Sequence, residues 1–325
     1  MNARIGQAIA VIPVHNEAAT IGAIVLATRA YLPVLVVDDA SDDGSGQRAT
    51  EAGAVVLTLA RHSGKGAALR HGFAEALRRG AAWVMTLDGD GQHDPADIPR
   101  FLDACQRWPR HLIVGNRLGC PAAIPWARLH AIQVASFWIN WIGQCQVQDT
   151  QSGLRLYPAA LLRALRVRQE GFVFESALLL RAALAGWGIQ EIPIRAVYIP
   201  GRTSQYRPLH DGTHVTAYLL ARGLSFWPVC LGRLWRAWRQ DHAISLQHRW
   251  RHARVAALAT LMLPLLGLLA LASLAGWRLG QHWRAAMIQR VYNPCLLTSR
   301  HDTTQHAPLS PAALPGAQVP WKGTV

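Results

Sequence analysis

Short apolar runs alternate with amphipathic stretches from Met1 to about Arg207, and the alternation ends there. Ala8 to Val14 is apolar at every position, which predicts a buried strand. Asn16 is placed to cap a following helix that carries Ile21, Ile24, Val25 and Thr28 on one face. Leu32 to Val37 predicts a second strand, ending in the acidic turn Asp38-Asp-Ala-Ser-Asp-Asp-Gly44, whose side chains readily hydrogen-bond their own backbone. After a short helix come a third strand at Val55 to Leu59 and a helix from about Gly66. That helix sets Leu69, Phe73, Ala76 and Leu77 in one stripe and stops at Gly80. Val84 to Leu87 predicts a fourth strand and Leu112 to Gly115 a fifth. Between them Asp94 caps a helix with Pro95 at its first position and Ile98, Phe101, Leu102 and Cys105 facing inward. Phe172 opens a further helix that runs to about Gly186, and Gln190 to Tyr198 predicts a last strand.

Strands that are continuously apolar, separated by single amphipathic helices, belong to an α/β fold with a mostly parallel sheet covered on both faces. In such sheets the ligand site lies off the carboxyl ends of the strands. Four polar clusters fall there: Pro13 to Glu17, Asp38-Asp39, Asp88 to Gln92 and Asn116-Arg117.

A chain of 325 residues can bury a full α/β core and carry an appendage besides. Beyond Arg207 acidic residues nearly vanish while Trp and Arg accumulate, which puts the domain boundary there; no internal repeat is present. A net charge of +14 calls for an anionic partner: nucleic acid, anionic lipid or a phosphorylated substrate. The five cysteines form no Cys-x-x-Cys pair and are odd in number, so neither a zinc site nor a disulfide framework is indicated, and a reducing compartment is expected. The apolar run at Ala8 comes too early for a signal peptide and meets Asn16-Glu17 at once.

The fourth strand carries the most specific chemistry. Asp88, Asp90 and Gln92 stand at alternate positions, relieved of bulk by Gly89 and Gly91. Such oxygen ligands reach a single hard divalent cation, which completes its shell with substrate phosphates. Taken alone, Asp-Gly-Asp reads equally as an acidic turn before a helix. The motifs around it decide the matter. Pro13-Val-His-Asn-Glu17, Val37-Asp-Asp-Ala-Ser-Asp-Asp-Gly44, Gly64-Lys-Gly66, Leu87-Asp-Gly-Asp-Gly-Gln92, Gly115-Asn-Arg117 and Asp149-Thr-Gln-Ser-Gly-Leu-Arg155 follow one another in this order. Together they resemble the motifs of family 2 glycosyltransferases, in the branch of dolichyl-phosphate mannose synthase and bacterial polyprenyl-phosphate glycosyltransferases. The resemblance covers roughly the first 200 residues, and His15 stands where the family often has Tyr.

The resemblance implies a GT-A fold, a nucleotide-sugar donor linked to GDP or UDP, a divalent metal (Mg²⁺ or Mn²⁺) and inversion at the sugar carbon. By position it makes Pro13, Glu17 and Asp39 base and ribose contacts. It makes Asp88 a ribose or metal contact, and Asp90 and Gln92 metal ligands. Lys65 lacks the Gly-x-x-x-x-Gly-Lys-Ser/Thr spacing of a P-loop and is read as part of a donor-side loop. Arginine binds phosphate bidentately, and Arg117, Arg128, Arg155 and Arg202 are the candidates for an acceptor phosphate, Arg117 and Arg155 first. For Arg128 and Arg202 a solvated surface charge is the competing reading. A phosphate monoester, with a second pKa of about 6, is already largely a dianionic nucleophile at neutral pH. A hydroxyl acceptor would need a base instead, and Asp149 is the candidate for it. Glu175 reads either as a site residue or as an acidic residue at a helix start.

The remaining third of the chain reads as membrane-associated. Residues 208–250 carry Leu231, Leu234, Trp235 and Trp238 on one helical face and Arg233, Arg236 and Arg239 on the other, the pattern of an interfacial helix. Val255 to Trp277 is free of charge and as a helix would span about 34 Å, enough for one crossing within 251–280. Arg249, Arg251 and Arg254 before it outweigh Arg278 and Arg284 after it, which places the amino-terminal side in the cytoplasm and the protein at the cell (inner) membrane. Residues 281–325, rich in Pro, Ser, Thr and Ala beyond Asn293, are expected to be a disordered tail.

The expectation is a membrane-anchored inverting glycosyltransferase acting on a polyprenyl phosphate. Two alternatives remain at this point: the same donor chemistry on a sugar or lipid hydroxyl, and a non-catalytic membrane scaffold. Nucleic acid is not expected as a partner, because the basic charge clusters beside the predicted bilayer segment and no nucleic-acid motif accompanies it. The pattern fixes no oligomeric state.

Overall fold

A computed structural model describes residues 8–119, 124, 126–195, 212–219 and 221–222. Arg202, the 207/208 boundary, the segment 251–280 and the tail 281–325 lie outside the described residues, as does most of 208–250.

Seven strands form one sheet in the order β3-β2-β1-β4-β6-β5-β7. They are β1 (Ala8–Val14), β2 (Val34–Asp38), β3 (Val55–Thr58), β4 (Trp83–Thr86), β5 (His111–Asn116), β6 (Arg155–Pro158) and β7 (Gly188–Pro193). β1 pairs in parallel with both β2 and β4, so the chain reverses its winding at β1/β4 and opens a crevice there. The exception to parallel pairing is β6, which runs antiparallel between β4 and β5.

Alternate residues of the inner strands feed two cores. Val11, Leu35 and Val37 face one core, with Leu69, Phe73 and Ala76 of α3 (Lys65–Arg78). α5 (Trp126–Gly143) and α7 (Val173–Leu184) fill the same side, and Val215 and Leu219, from a helical stretch at 212–219, join it. Ala10, Ile12 and Val36 face the other core, against Ile21, Ile24 and Val25 of α1 (Ile21–Arg29) and Ile98, Phe101, Leu102 and Cys105 of α4 (Ile98–Arg107). Burying each large apolar side chain contributes about 1.5–3 kcal/mol. Two short helices, α2 (Ser45–Glu51) and α6 (Ala159–Ala164), complete the fold.

Several expectations need correction. Asn16 caps no helix: it takes φ 56°, its side-chain Oδ1 accepts the Asp42 N–H at 3.0 Å, and α1 begins only after Thr20. The Asn side chain thus ties the loop after β1 to the loop after β2. Asp94 does accept the Ala96 N–H at 2.9 Å, but the turn it starts is a 3₁₀ stretch, Pro95–Asp97, before α4. The last strand begins two residues earlier than predicted, at Gly188, and ends at Pro193. α5 and β6 were not anticipated at all. Among the described residues no helix is long and apolar enough to cross a membrane.

Candidate active site

A cavity of about 400 Å³ opens at the carboxyl ends of the strands, over the β1/β4 crevice. Pro13, Glu17, Asp39 and Lys65 line it, together with Asp88 and Asp90 after the end of β4. Arg128, from α5, and Arg155, from β6, line it as well. Of the remaining candidates, Gln92 reaches the site through Arg128, whose Nη1 donates to its Oε1 at 2.8 Å. Arg117 and Asp149 sit behind the cavity and are buried.

The donor-side loops are fixed by their own polar side chains. The Glu17 N–H donates to Ser45 Oγ at 2.7 Å and the Ala18 N–H to Asp43 Oδ2 at 2.9 Å. Asp39 is 2 % exposed and turns its carboxylate under the next loop, accepting the N–H of Ser63 at 2.8 Å and of Gly64 at 2.7 Å. It thereby fixes the start of α3 and with it Lys65. His62 Nδ1 lies 3.0 Å from Asp39 Oδ2, and its ring stacks on His15 with centroids 4.0 Å apart. The predicted base and ribose contacts thus have an imidazole pair beside them.

Lys65 is the centre of the cavity's electrostatics. Its Nζ lies 2.6 Å from Asp88 Oδ1 and 2.7 Å from Glu175 Oε2, and 5.4 Å from the centroid of the Phe172 ring. Burial opposes the ammonium charge, but Asp88 and Glu175 more than offset it and raise the Lys65 pKa. Asp88 responds in the opposite sense: burial pushes its carboxyl up, while Lys65 and His93 hold it well below its ordinary value. His93 is buried, with Nε2 3.2 Å from Asp88 Oδ2. Glu175, read at first as a site residue or a helix-start residue, is a site residue: it is 6 % exposed at the start of α7 and faces Lys65.

A Cβ at Gly153 would stand 2.3 Å from Asp88 Oδ2, so only a bare Cα fits there. Gly153→Ala is expected to displace Asp88 and lower kcat/KM for the donor by about 10²-fold. Its effect on the melting temperature should be minor by comparison, since the side chain that must move lies at the cavity. Unchanged kinetics would show that the position of Asp88 does not matter.

The residues at the end of β4 fit a hard divalent cation. Asp90 Oδ1 accepts the Gln92 N–H at 3.0 Å, and no described residue pairs with its other oxygen. Among the described residues no three His, Cys, Asp or Glu side chains are grouped so that they could hold a metal ion by themselves. The donors available are two carboxylates and an amide, the set for an open Mg²⁺ or Mn²⁺ site that takes its remaining ligands from substrate phosphates.

The loop from Val147 to Ser152 is held on all sides. Asn140 exchanges hydrogen bonds with the Val147 backbone at 2.8 and 2.9 Å, and Ser136 donates to the Gln148 carbonyl at 2.8 Å. Glu191, on β7, accepts the N–H groups of Gln148 and Asp149, both at 2.9 Å. Asp149, so placed, grips Arg117 in a bidentate pair at 2.7 and 2.8 Å and also accepts its backbone N–H. Arg155 is fully buried and donates to the carbonyls of Thr150, Ser152 and Glu175 at 2.7–2.8 Å. Its guanidinium braces this loop against α7 instead of standing free for a phosphate.

Burial pushes the Asp149 carboxyl up, and the Arg117 charge and hydrogen bonds more than offset this, leaving it below its ordinary value of 3.8. Asp88 is lowered likewise. A carboxylate lowered in the folded state contributes stability above its unfolded pKa and loses it as pH falls through the folded value. The melting temperature should therefore owe no loss to these two groups between pH 7 and about 4, and fall as they protonate below that. Melts of the wild type and Asp149→Asn across pH 7 to 3 check this. The difference between the two should shrink at acid pH, and a constant difference would contradict it.

Sequence reasoning missed His62, His93, Phe172 and Glu191. His62 and His93 had a signal, since they adjoin the Ser63-Gly-Lys-Gly66 and Asp88-Gly-Asp-Gly-Gln92 runs; Phe172 and Glu191 are joined to the site only by long-range packing.

Comparison with known proteins agrees with this geometry. The family profile described as Glycosyl transferase family 2 matches residues 9–162. A polyprenol monophosphomannose synthase of Mycolicibacterium smegmatis is 30% identical over 203 residues, covering 58% of this chain and 76% of the relative. An undecaprenyl-phosphate mannosyltransferase of Micrococcus luteus is 31% identical over 210 residues, covering 59% of this chain and 84% of the relative. Among solved structures, glucosyl-3-phosphoglycerate synthase from Mycobacterium tuberculosis, in complex with Mn²⁺, UDP and glucosyl-3-phosphoglycerate, superposes with a TM-score of 0.53 at 20% identity. The match covers 67% of this chain and 79% of that one and shows a shared fold. With its ordered motifs gathered at one sheet edge and two relatives matched over most of their length, the chain belongs to glycosyltransferase family 2 and resembles the polyprenyl-phosphate branch of that family.

Proposed function

We propose that the protein transfers a sugar from a GDP- or UDP-linked donor to a polyprenyl phosphate, with inversion at the sugar carbon, on the cytoplasmic face of a membrane. The observation that carries this reading is the cavity itself, whose lining brings Asp88 and Asp90, at the crevice between β1 and β4, together with Lys65 and Arg128. Acidic ligands for a cation thus stand beside basic groups for phosphate. The names of the two relatives, one a polyprenol monophosphomannose synthase and the other an undecaprenyl-phosphate mannosyltransferase, support the same acceptor class.

In this mechanism Pro13 and Glu17 border the nucleoside, and Asp39 holds the Ser63–Gly64 turn that delivers Lys65 toward the diphosphate. Asp88, Asp90 and Gln92 would hold Mg²⁺ or Mn²⁺, which as a Lewis acid takes up charge on the departing diphosphate. Arg128, a half-buried residue of the cavity lining, receives the acceptor phosphate. One phosphate oxygen forms a bond to the anomeric carbon as the bond from that carbon to the donor diphosphate breaks, and a single displacement inverts the centre.

The nucleophile needs no protein base, because a phosphate monoester is largely dianionic above a pKa of about 6. Asp149 fits this. Its carboxylate is committed to Arg117 in a buried pair, so its part is to fix Arg117 and the acceptor loop. The net charge of +14, the Trp- and Arg-rich segment 208–250 and the uncharged run Val255 to Trp277 support anchoring at a membrane.

The test compares undecaprenyl phosphate with undecaprenol as acceptors for the purified full chain. Transfer to the phosphate alone, rising with pH through about 6, is expected. Equal transfer to the alcohol would replace this reading with a hydroxyl acceptor.

A further inference from the structure

Two of the three side chains assigned to the divalent cation are already in contact with basic groups. Lys65 Nζ is 2.6 Å from Asp88 Oδ1, and Arg128 Nη1 donates to Gln92 Oε1 at 2.8 Å. Both basic side chains line the cavity. An ammonium on a carboxylate oxygen and a divalent cation on the same oxygen repel one another, so the two occupancies compete.

Lys65 is built to move without leaving. Glu175 Oε2, 2.7 Å from Nζ, is a second anchor on a different element from Asp88. Arg155 holds the Glu175 carbonyl at 2.8 Å, which fixes that anchor. Gly66 lets the two segments close on one another, since a Cβ there would stand 2.8 Å from Phe174 Cβ and 3.0 Å from the Gly171 backbone. When Nζ gives up Asp88 it pivots about Glu175 inside the cavity, where the arriving anion is the donor's diphosphate. Arg128 has the same choice between Gln92 and a phosphate.

We infer that Lys65 and Arg128 are place-holders for the divalent cation on Asp88 and Gln92, released to phosphate groups as substrate arrives, so that metal and nucleotide bind as a coupled pair. This rests on the nucleotide-sugar reading above. The free protein then holds the cation weakly. By reciprocity the cation tightens nucleotide binding by the same factor as nucleotide tightens the cation.

The test is Mn²⁺ binding to the purified full chain in detergent, followed by the electron paramagnetic resonance of free Mn²⁺, alone and with saturating UDP or GDP. In the wild type the nucleotide that fits should tighten Mn²⁺ at least about fivefold, the low end of ordinary coupling. Lys65→Gln should tighten Mn²⁺ binding to the nucleotide-free protein and shrink the enhancement by nucleotide. Arg128→Gln, at a partly exposed position, should tighten Mn²⁺ both with and without nucleotide, since its own phosphate is the acceptor's, so the test survives a Lys65 variant that fails to fold. If the wild type binds Mn²⁺ with nucleotide but both variants show its affinity and enhancement unchanged, the place-holder inference falls and the transferase reading stands. If the wild type binds no Mn²⁺ even with UDP and GDP, the place-holder inference falls, while the transferase reading is decided by the acceptor test above.

Discussion

Arg117→Met is expected to destabilise the folded domain by about 3–5 kcal/mol, the usual result of removing one partner from a buried ion pair. Arg117 is 4 % exposed and Asp149 0 %, and the guanidinium makes two hydrogen bonds to the carboxylate at 2.7 and 2.8 Å. Without the guanidinium, Asp149 keeps only two backbone N–H groups, those of residue 117 and Gln151, each at 3.2 Å, and no cation for its charge, so the carboxyl must be neutralised or the loop opened. For a domain of this size the loss corresponds to a fall in Tm of roughly 6–20 °C. The double variant Arg117→Met, Asp149→Leu removes both charges and should recover much of that fall, because an apolar pair of similar volume often matches a buried ion pair. Thermal melts of the three proteins in detergent decide it. A single variant that melts with the wild type would mean that the pair does not hold the acceptor loop.

Asp90→Asn has the opposite profile, a large effect on transfer with little on stability. Asp88 is tied to Lys65 and His93, so replacing it disturbs the cavity as well as any cation. Asp90 makes only a hydrogen bond from the Gln92 N–H at 3.0 Å among the described contacts of its side chain, and an amide oxygen can still accept that bond. Stability should therefore change by no more than about 0.5 kcal/mol. Transfer should fall by about 10²–10³-fold, the scale for losing one group that stabilises developing charge. The measurement is kcat/KM at saturating Mn²⁺ beside a melting curve. Activity within a few-fold of wild type would remove Asp90 from the cation site.

The fold was legible where burial leaves a one-dimensional trace. Ala8–Val14 and Val34–Asp38 are buried along almost their whole length, and they stand out as apolar runs. α4 is amphipathic, and its inward residues Ile98, Phe101, Leu102 and Cys105 fall at helical spacing. α5 left no such trace, because Ile132, Val134, Ala135, Trp138, Ile139 and Ile142 are all buried and no polar face marks its period. β6 has only four residues, opens on a buried arginine and ends on a proline, which reads locally as a turn.

Within the site, the motifs identified residue types and their shared edge, and missed what the charged groups touch. Asp39 was read as a nucleoside contact, yet in the structure its carboxylate holds the Ser63 and Gly64 N–H groups. Arg155 was read as a phosphate ligand, yet its guanidinium faces three carbonyls. A local motif records that an arginine is present and says nothing of whether solvent or backbone lies in front of it. The Lys65–Glu175 and Asp149–Glu191 contacts join segments far apart in the chain, and only folding brings them together.

The central claim is that a donor sugar moves to a lipid phosphate at this cavity. Incubating the purified full chain with labelled GDP-mannose, UDP-glucose and UDP-N-acetylglucosamine in turn, with undecaprenyl phosphate and with Mg²⁺, Mn²⁺ or a chelator, tests it directly. Label is expected in the lipid phase from one donor, abolished by the chelator. Metal-dependent donor binding with no label in the lipid phase from any of the three would contradict it.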